Sequence, residues 1–116
     1  LVEDDRDRRE MYSEFLSHSG LGVAEAPSGR RALERAGEQC PDVVVTDIAM
    51  PGMDGLELSR RLRSSPPTHD VPIIAVSGNP SERAREAGVD VVLTKPCAPD
   101  YLLHVIEGVL DKPRSD

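Results

Sequence analysis

The 116 residues fit one compact domain, with 38% hydrophobic and 30% charged side chains, one Phe, two Tyr and no Trp, so the core must be built from Val, Leu, Ile and Ala. A formal net charge of -7 argues against nucleic-acid binding by this chain alone; Arg6, Arg8, Arg9, Arg60, Arg61 and Arg63 are interleaved with acids or confined to helix faces and read as solvated surface. Cys40 and Cys97 form neither a C-x-x-C pair nor a dense framework, His18, His69 and His104 are scattered singly, and no apolar run approaches the ~20 residues of a membrane span, so a disulfide scaffold, a zinc site and a membrane protein are all disfavoured and the cytoplasm is the expected compartment.

A first strand opens at Leu1-Val2, cut short at the start of the chain, so the sequence reads as lacking upstream residues or as a piece of a longer protein. Met11, Tyr12, Phe15 and Leu16 then make one apolar helical stripe, closed by Gly20 and Gly22. A weak second strand falls at Val23-Ala24. Ser28 can cap a helix carrying Ala32, Leu33 and Ala36, and Val43-Val44-Val45 is the third strand. Asp54, with Glu57 three residues on, resembles a capping box for a helix that buries Leu58 and Leu62. The fourth strand is Ile73-Ile74-Ala75-Val76. Asn79-Pro80-Ser81-Glu82 offers an N-cap, a Pro at the first helical position and an early Glu for a helix with only Ala84 and Ala87 to bury. Val91-Val92-Leu93 is the fifth strand, and Leu102, Leu103, Ile106, Val109 and Leu110 stripe the last helix. The domain is expected over residues 1–112, with 113–116 a polar end or linker stub.

Three of the apolar runs are continuous and β-branched, as in strands buried on both faces of a parallel sheet. Strand–helix alternation gives βαβ units with right-handed crossovers and helices on both faces. The fold class is therefore α/β: a doubly wound five-stranded parallel sheet flanked by five helices. In the strand order 2-1-3-4-5 known for such sheets, the crevice lies at the carboxyl ends of strands one and three.

The residues falling at those ends carry chemistry. Glu3, Asp4 and Asp5 follow strand one, Asp47 follows strand three, Ser77 strand four, and Thr94, Lys95 and Pro96 strand five. Crowded carboxylates repel one another unless a cation joins them, and hard oxygen ligands suit Mg²⁺. A carboxylate can also attack phosphorus to give an aspartyl phosphate, with a metal, a Lys and a hydroxyl orienting the transferred group. Each residue alone has a plainer reading: Asp4 or Asp5 as a helix cap, Asp47 as a loop acid, Ser77 as a turn residue, Lys95 as a solvated charge. Turn chemistry does not require all of them at one sheet edge.

The stretches Leu1-Val2-Glu3-Asp4-Asp5, Thr46-Asp47-Ile48-Ala49-Met50-Pro51-Gly52-Met53-Asp54-Gly55, Val71-Pro72-Ile73-Ile74-Ala75-Val76-Ser77-Gly78 and Leu93-Thr94-Lys95-Pro96 resemble, in order, the receiver domains of two-component response regulators. The resemblance implies a flavodoxin-like fold and roles residue by residue. Asp47 matches the phosphoacceptor, Asp4 the direct Mg²⁺ ligand, Glu3 the neighbouring acid acting through water, and Ala49 the residue lending its backbone carbonyl to the metal. Ser77 matches the switch hydroxyl and Lys95 the family's lysine, with a cis peptide expected before Pro96. The implied partners are a sensor histidine kinase or phosphotransfer protein and an effector domain or downstream protein. That effector is expected on the face of the fourth helix, the fifth strand and the last helix. Two departures stand out: Val92 replaces a frequent aromatic at a coupling position, and Cys97 a frequent Phe. Two other classes compete. A non-phosphorylated pseudo-receiver would be expected to lose an acid, the Lys or the acceptor Asp, and none is lost. A Mg²⁺-dependent phosphohydrolase commonly places a second acid two residues after its nucleophile, where Ala49 stands.

Overall fold

In the computed structural model, residues 1–79 and 83–111 are described. The elements run α1 (Arg6–His18), α2 (Gly29–Glu38), β1 (Val44–Asp47), α3 (Gly55–Ser64), a 3-10 turn (Pro66–Thr68), β2 (Ile73–Ser77), α4 (Arg83–Glu86), β3 (Val91–Thr94) and α5 (Pro99–Asp111). The Pro80–Glu82 part of the expected cap and the polar stub at 113–116 lie outside the described residues.

β1, β2 and β3 form a parallel sheet in that order, with Asp47 opposite Val76 and Ser77 opposite Thr94. Val2 adds parallel bridges to Thr46 on one side and to Ala26 on the other. Counting these two segments as strands one and two, the order is the expected 2-1-3-4-5. Each contributes a single bridged residue instead of a full ladder, and the second pairs at Ala26, two residues beyond the Val23-Ala24 run. The backbone still closes the edge: Val2 N–H donates to Val45 O, Asp47 N–H to Val2 O, and Ala26 N–H to Leu1 O.

The strands are apolar on both sides because helices cover both sides. Val44, Ile73 and Ala75 pack with Ala32, Ala36, Leu58, Leu62 and Ala84 toward α2, α3 and α4. The alternate residues Val45, Ile74 and Val76 pack with Leu16, Leu102 and Ile106 toward α1 and α5. Three helix starts are capped by side chains: Asp5 accepts from Arg8 N–H, Ser28 from Arg31 N–H and Asp54 from Glu57 N–H. The apolar stripe of α1 is rotated from the sequence reading. Positions 9, 12, 13 and 16 share its inner face, so Ser13 is buried and Met11 is exposed; Leu110, in the last turn of α5, is exposed too.

Arg63, at the end of α3, is not free surface charge. It donates to the carbonyls of Gly88, His69 and Val71 and to Asp90 Oδ2, which also accepts from Ile73 N–H. Gly88 has φ +94, and a Cβ there would stand 2.6 Å from Arg63 Cγ, so the turn from α4 into β3 requires glycine.

Candidate functional site

Because the strands are parallel, their carboxyl ends share one edge, and β1 delivers Asp47 to its centre. Lys95 Nζ lies 2.8 Å from Asp47 Oδ2, with the Asp47 side chain 4% exposed and that of Lys95 28%. Asp47 Oδ1 is buried with no hydrogen-bond partner among the described residues. A buried, unpaired carboxylate oxygen costs free energy unless a ligand satisfies it.

Glu3, Asp4 and Asp47 each offer a carboxylate oxygen, all within 4.8 Å of one another. Glu3 is buried, and its Oε1 lies 2.8 Å from Arg8 Nε. Burial pushes the Glu3 carboxyl above the ordinary value of 4.5; the Asp5 N–H opposes this, Asp4 adds to it, Arg8 opposes it and Asp47 adds to it. The folded protein thus binds this proton more tightly than the unfolded chain does. Glu3's own contribution to stability is therefore fullest below the ordinary glutamate range and is lost as the pH rises through the raised value.

The donors of this cluster are all oxygens and anionic, and the orphaned Oδ1 points to a missing partner. The set fits a hard divalent cation such as Mg²⁺ better than a thiolate- or imidazole-seeking metal.

The walls are equally specific. A Cβ on Gly55 would overlap the carbonyl oxygen of Asp47 and lie 2.9 Å from Ile48 Cα. The N-terminus of α3 can therefore seat against the end of β1 only with glycine at 55, and Gly55 N–H then donates to Ile48 O. Ser77 is buried, its Oγ accepting from Asn79 N–H at 3.0 Å, and its carbonyl accepts from Lys95 N–H. Ala49 is exposed two residues beyond Asp47, and the Lys95–Pro96 peptide is cis. Val92 is half-buried against the cluster that contains Ala84 and Leu62. Asp5 stands apart as the cap of α1.

Three contributors escaped the sequence reading. Arg8 bends back from α1 onto Glu3, and Arg9 donates to the Glu3 carbonyl, so neither is the merely solvated charge expected. Tyr12 donates its hydroxyl to Cys97 O at 2.6 Å, and both residues line a cavity of about 450 Å³ together with Asp47 and Lys95. The signal for Arg8 was a cation in the first turn of a helix, against the helix dipole, five residues after an acid. Nothing in the residue pattern marks the Tyr12 contact.

A doubly wound parallel sheet with this acid cluster and lysine at its carboxyl edge has the make-up of a phosphoryl-accepting signalling domain. The family model "Response regulator receiver domain" matches residues 1–107, and the chain belongs to that family, whose phosphoacceptor domains serve two-component signalling. It is 38% identical over 120 residues to a response regulator MprA of Mycolicibacterium vanbaalenii, covering all of this chain and 51% of that protein; the chain thus spans about half the length of such curated relatives. Among solved structures, it is similar to the chemotaxis protein CheY4 of Vibrio cholerae (TM-score 0.88, 30% identity, 93% of each chain). It is also similar to a putative response regulator from Chloroflexus aurantiacus (TM-score 0.87, 33% identity, 97% of this chain and 96% of that one). Among the described residues, no helix is long and apolar enough to cross a membrane.

Proposed function

We propose that Asp47 is the phosphoacceptor, taking its phosphoryl group from the phosphohistidine of a histidine kinase or phosphotransfer protein. The observation that carries this reading is the asymmetry of Asp47. Lys95 holds Oδ2 while Oδ1 stands buried and unpartnered within the acid cluster. Oδ1 attacks phosphorus as the donor's phosphorus–nitrogen bond breaks, and the imidazole departs with the electron pair. Glu3, Asp4, Asp47 and the Ala49 carbonyl would hold Mg²⁺, which supplies charge neutralisation for the phosphoryl oxygens. Lys95 then exchanges Asp47 Oδ2 for a phosphoryl oxygen as a mobile point charge. The Ser77 hydroxyl turns from Asn79 N–H to donate to another.

The output follows from the same movement. Ser77 lies at the end of β2 beside β3, and α4 is held by small side chains, Ala84 with the adjoining Ala87. The effector or downstream partner would read the face of α4, β3 and α5, with Val92 moving little because it has no ring to sweep. Residues 1–112 would act as the receiver unit, in the cytoplasm.

The reading is tested by intact-mass measurement with acetyl phosphate. One phosphoryl group is expected with Mg²⁺ and none after chelation; gain that ignores the metal would rule the mechanism out.

The metal ligands are tested separately. Asp4→Asn is expected to weaken Mg²⁺ binding on the order of tenfold or more, since affinity follows ligand charge. Asp5→Asn should change it by less than about threefold, because Asn caps a helix nearly as well as Asp. Calorimetric titration at neutral pH reads both, and equal losses would place the ligand one residue away. In the wild type, the affinity should fall as the pH is lowered through the raised Glu3 value, because a protonated Glu3 is lost to the site.

A further inference from the structure

We propose that Arg8 is a resident counter-cation of the acid site, holding Glu3 in the idle protein and surrendering it when Mg²⁺ binds. This deepens the metal reading above and rests on it.

The geometry is specific to this side chain. Arg8 is in the first turn of α1, where the aligned backbone dipoles disfavour a positive charge. Its guanidinium nevertheless folds back over the helix start, and Nε approaches Glu3 Oε1 to 2.8 Å. The Glu3 side chain is 5% exposed and that of Arg8 is 49%, so the cation covers a buried acid from the solvent side. Arg8 also lines the same cavity as Glu3, Asp47 and Lys95.

The charges explain why it stays. Glu3, Asp4 and Asp47 bring three carboxylates to one place, and Lys95 is committed to Asp47. Arg9 approaches Glu25 with Nε at 3.7 Å and donates NH1 to the Glu3 backbone carbonyl, so it leaves the Glu3 carboxylate to Arg8. Without Arg8 the metal-free cluster would carry one more uncompensated negative charge. With a divalent cation among the same carboxylates, that ion and Lys95 balance the three negative charges, Arg8 becomes a fourth positive charge, and its reason to remain is gone. Its half-exposed position lets it swing into water without leaving a buried group unpaired.

The consequence has an unusual sign. Removing a merely structural residue beside a metal site loosens the site, whereas removing a competing cation tightens it. Arg8→Met keeps the stem and deletes the charge, and should bind Mg²⁺ about three- to fivefold more tightly than the wild type, the size set by a half-exposed ion pair. Titration of both proteins with MgCl₂, followed by amide shifts at residues 3–5 and 47–49, reads the affinity without any phosphorylation. In the wild type, the Arg8 Nε–H resonance should be shifted and slow to exchange before metal, and resemble a free guanidinium at saturation. Unchanged or weaker Mg²⁺ binding by Arg8→Met overturns the proposal. So does an Arg8 Nε–H that keeps its bonded signature in saturating Mg²⁺. If neither protein binds Mg²⁺ at residues 3–5 and 47–49, the metal reading itself fails, a result distinct from equal and measurable affinities.

Discussion

Asp47→Ala should lose phosphoryl uptake by on the order of a thousandfold or more, to the background of the assay, while keeping its fold. The effect is large because the substitution removes the atom that forms the bond. The neighbours do not replace it: Glu3 is buried, and both it and Asp4 would be committed to the metal. The fold should survive because the change relieves one of three crowded acids and removes the orphaned Oδ1, and the half-buried Lys95 can turn to solvent. Intact-mass measurement with acetyl phosphate and Mg²⁺ reads the first part and far-ultraviolet circular dichroism the second. Wild-type labelling of the variant would remove Asp47 from the mechanism.

Gly55→Ala should cost roughly 2–4 kcal/mol, lowering Tm by about 10 °C, although it adds a single methyl group. That methyl would overlap the Asp47 carbonyl and crowd Ile48 Cα, both backbone atoms, so no rotamer change relieves it. Either α3 or the end of β1 must move, and movement of β1 carries the acceptor with it. Phosphoryl uptake by the folded fraction should therefore fall about tenfold, as reacting groups lose their alignment. Gly22→Ala is the control, since a Cβ there meets nothing within 4 Å and the backbone is not in the left-handed region. Thermal unfolding of the two variants side by side decides the matter, and equal Tm values would contradict the close packing of α3 against β1.

What was legible in the sequence depended on the range of the interaction. Continuous β-branched runs and capping residues are local signals, so the parallel sheet and the starts of α2 and α3 were readable. Once the strands are parallel, the residues just after them must share an edge, and Glu3, Asp4, Asp47 and Lys95 do come together. Short or edge segments were less legible: Leu1-Val2 and the segment near Ala26 pair through single residues, and the apolar count in α1 placed Met11 inside where Ser13 lies. Long flexible side chains were least legible of all. Arg8 and Arg63 look like surface charges in the pattern, yet one reaches back to Glu3 and the other gathers Gly88, His69, Val71 and Asp90. Gly55 stood in a recognisable motif, but only the approach of α3 to the Asp47 carbonyl gives it a physical reason.

The central claim is the identity of the acceptor atom's residue, and borohydride trapping tests it most directly. An aspartyl phosphate is an acyl phosphate, which borohydride reduces to homoserine at the modified position. After treatment with acetyl phosphate and Mg²⁺ followed by borohydride, peptide mass spectrometry should find homoserine at position 47 and aspartate at positions 4, 5 and 54. Homoserine at one of those other positions, or aspartate retained at 47 in a protein that has gained a phosphoryl group, would contradict the account.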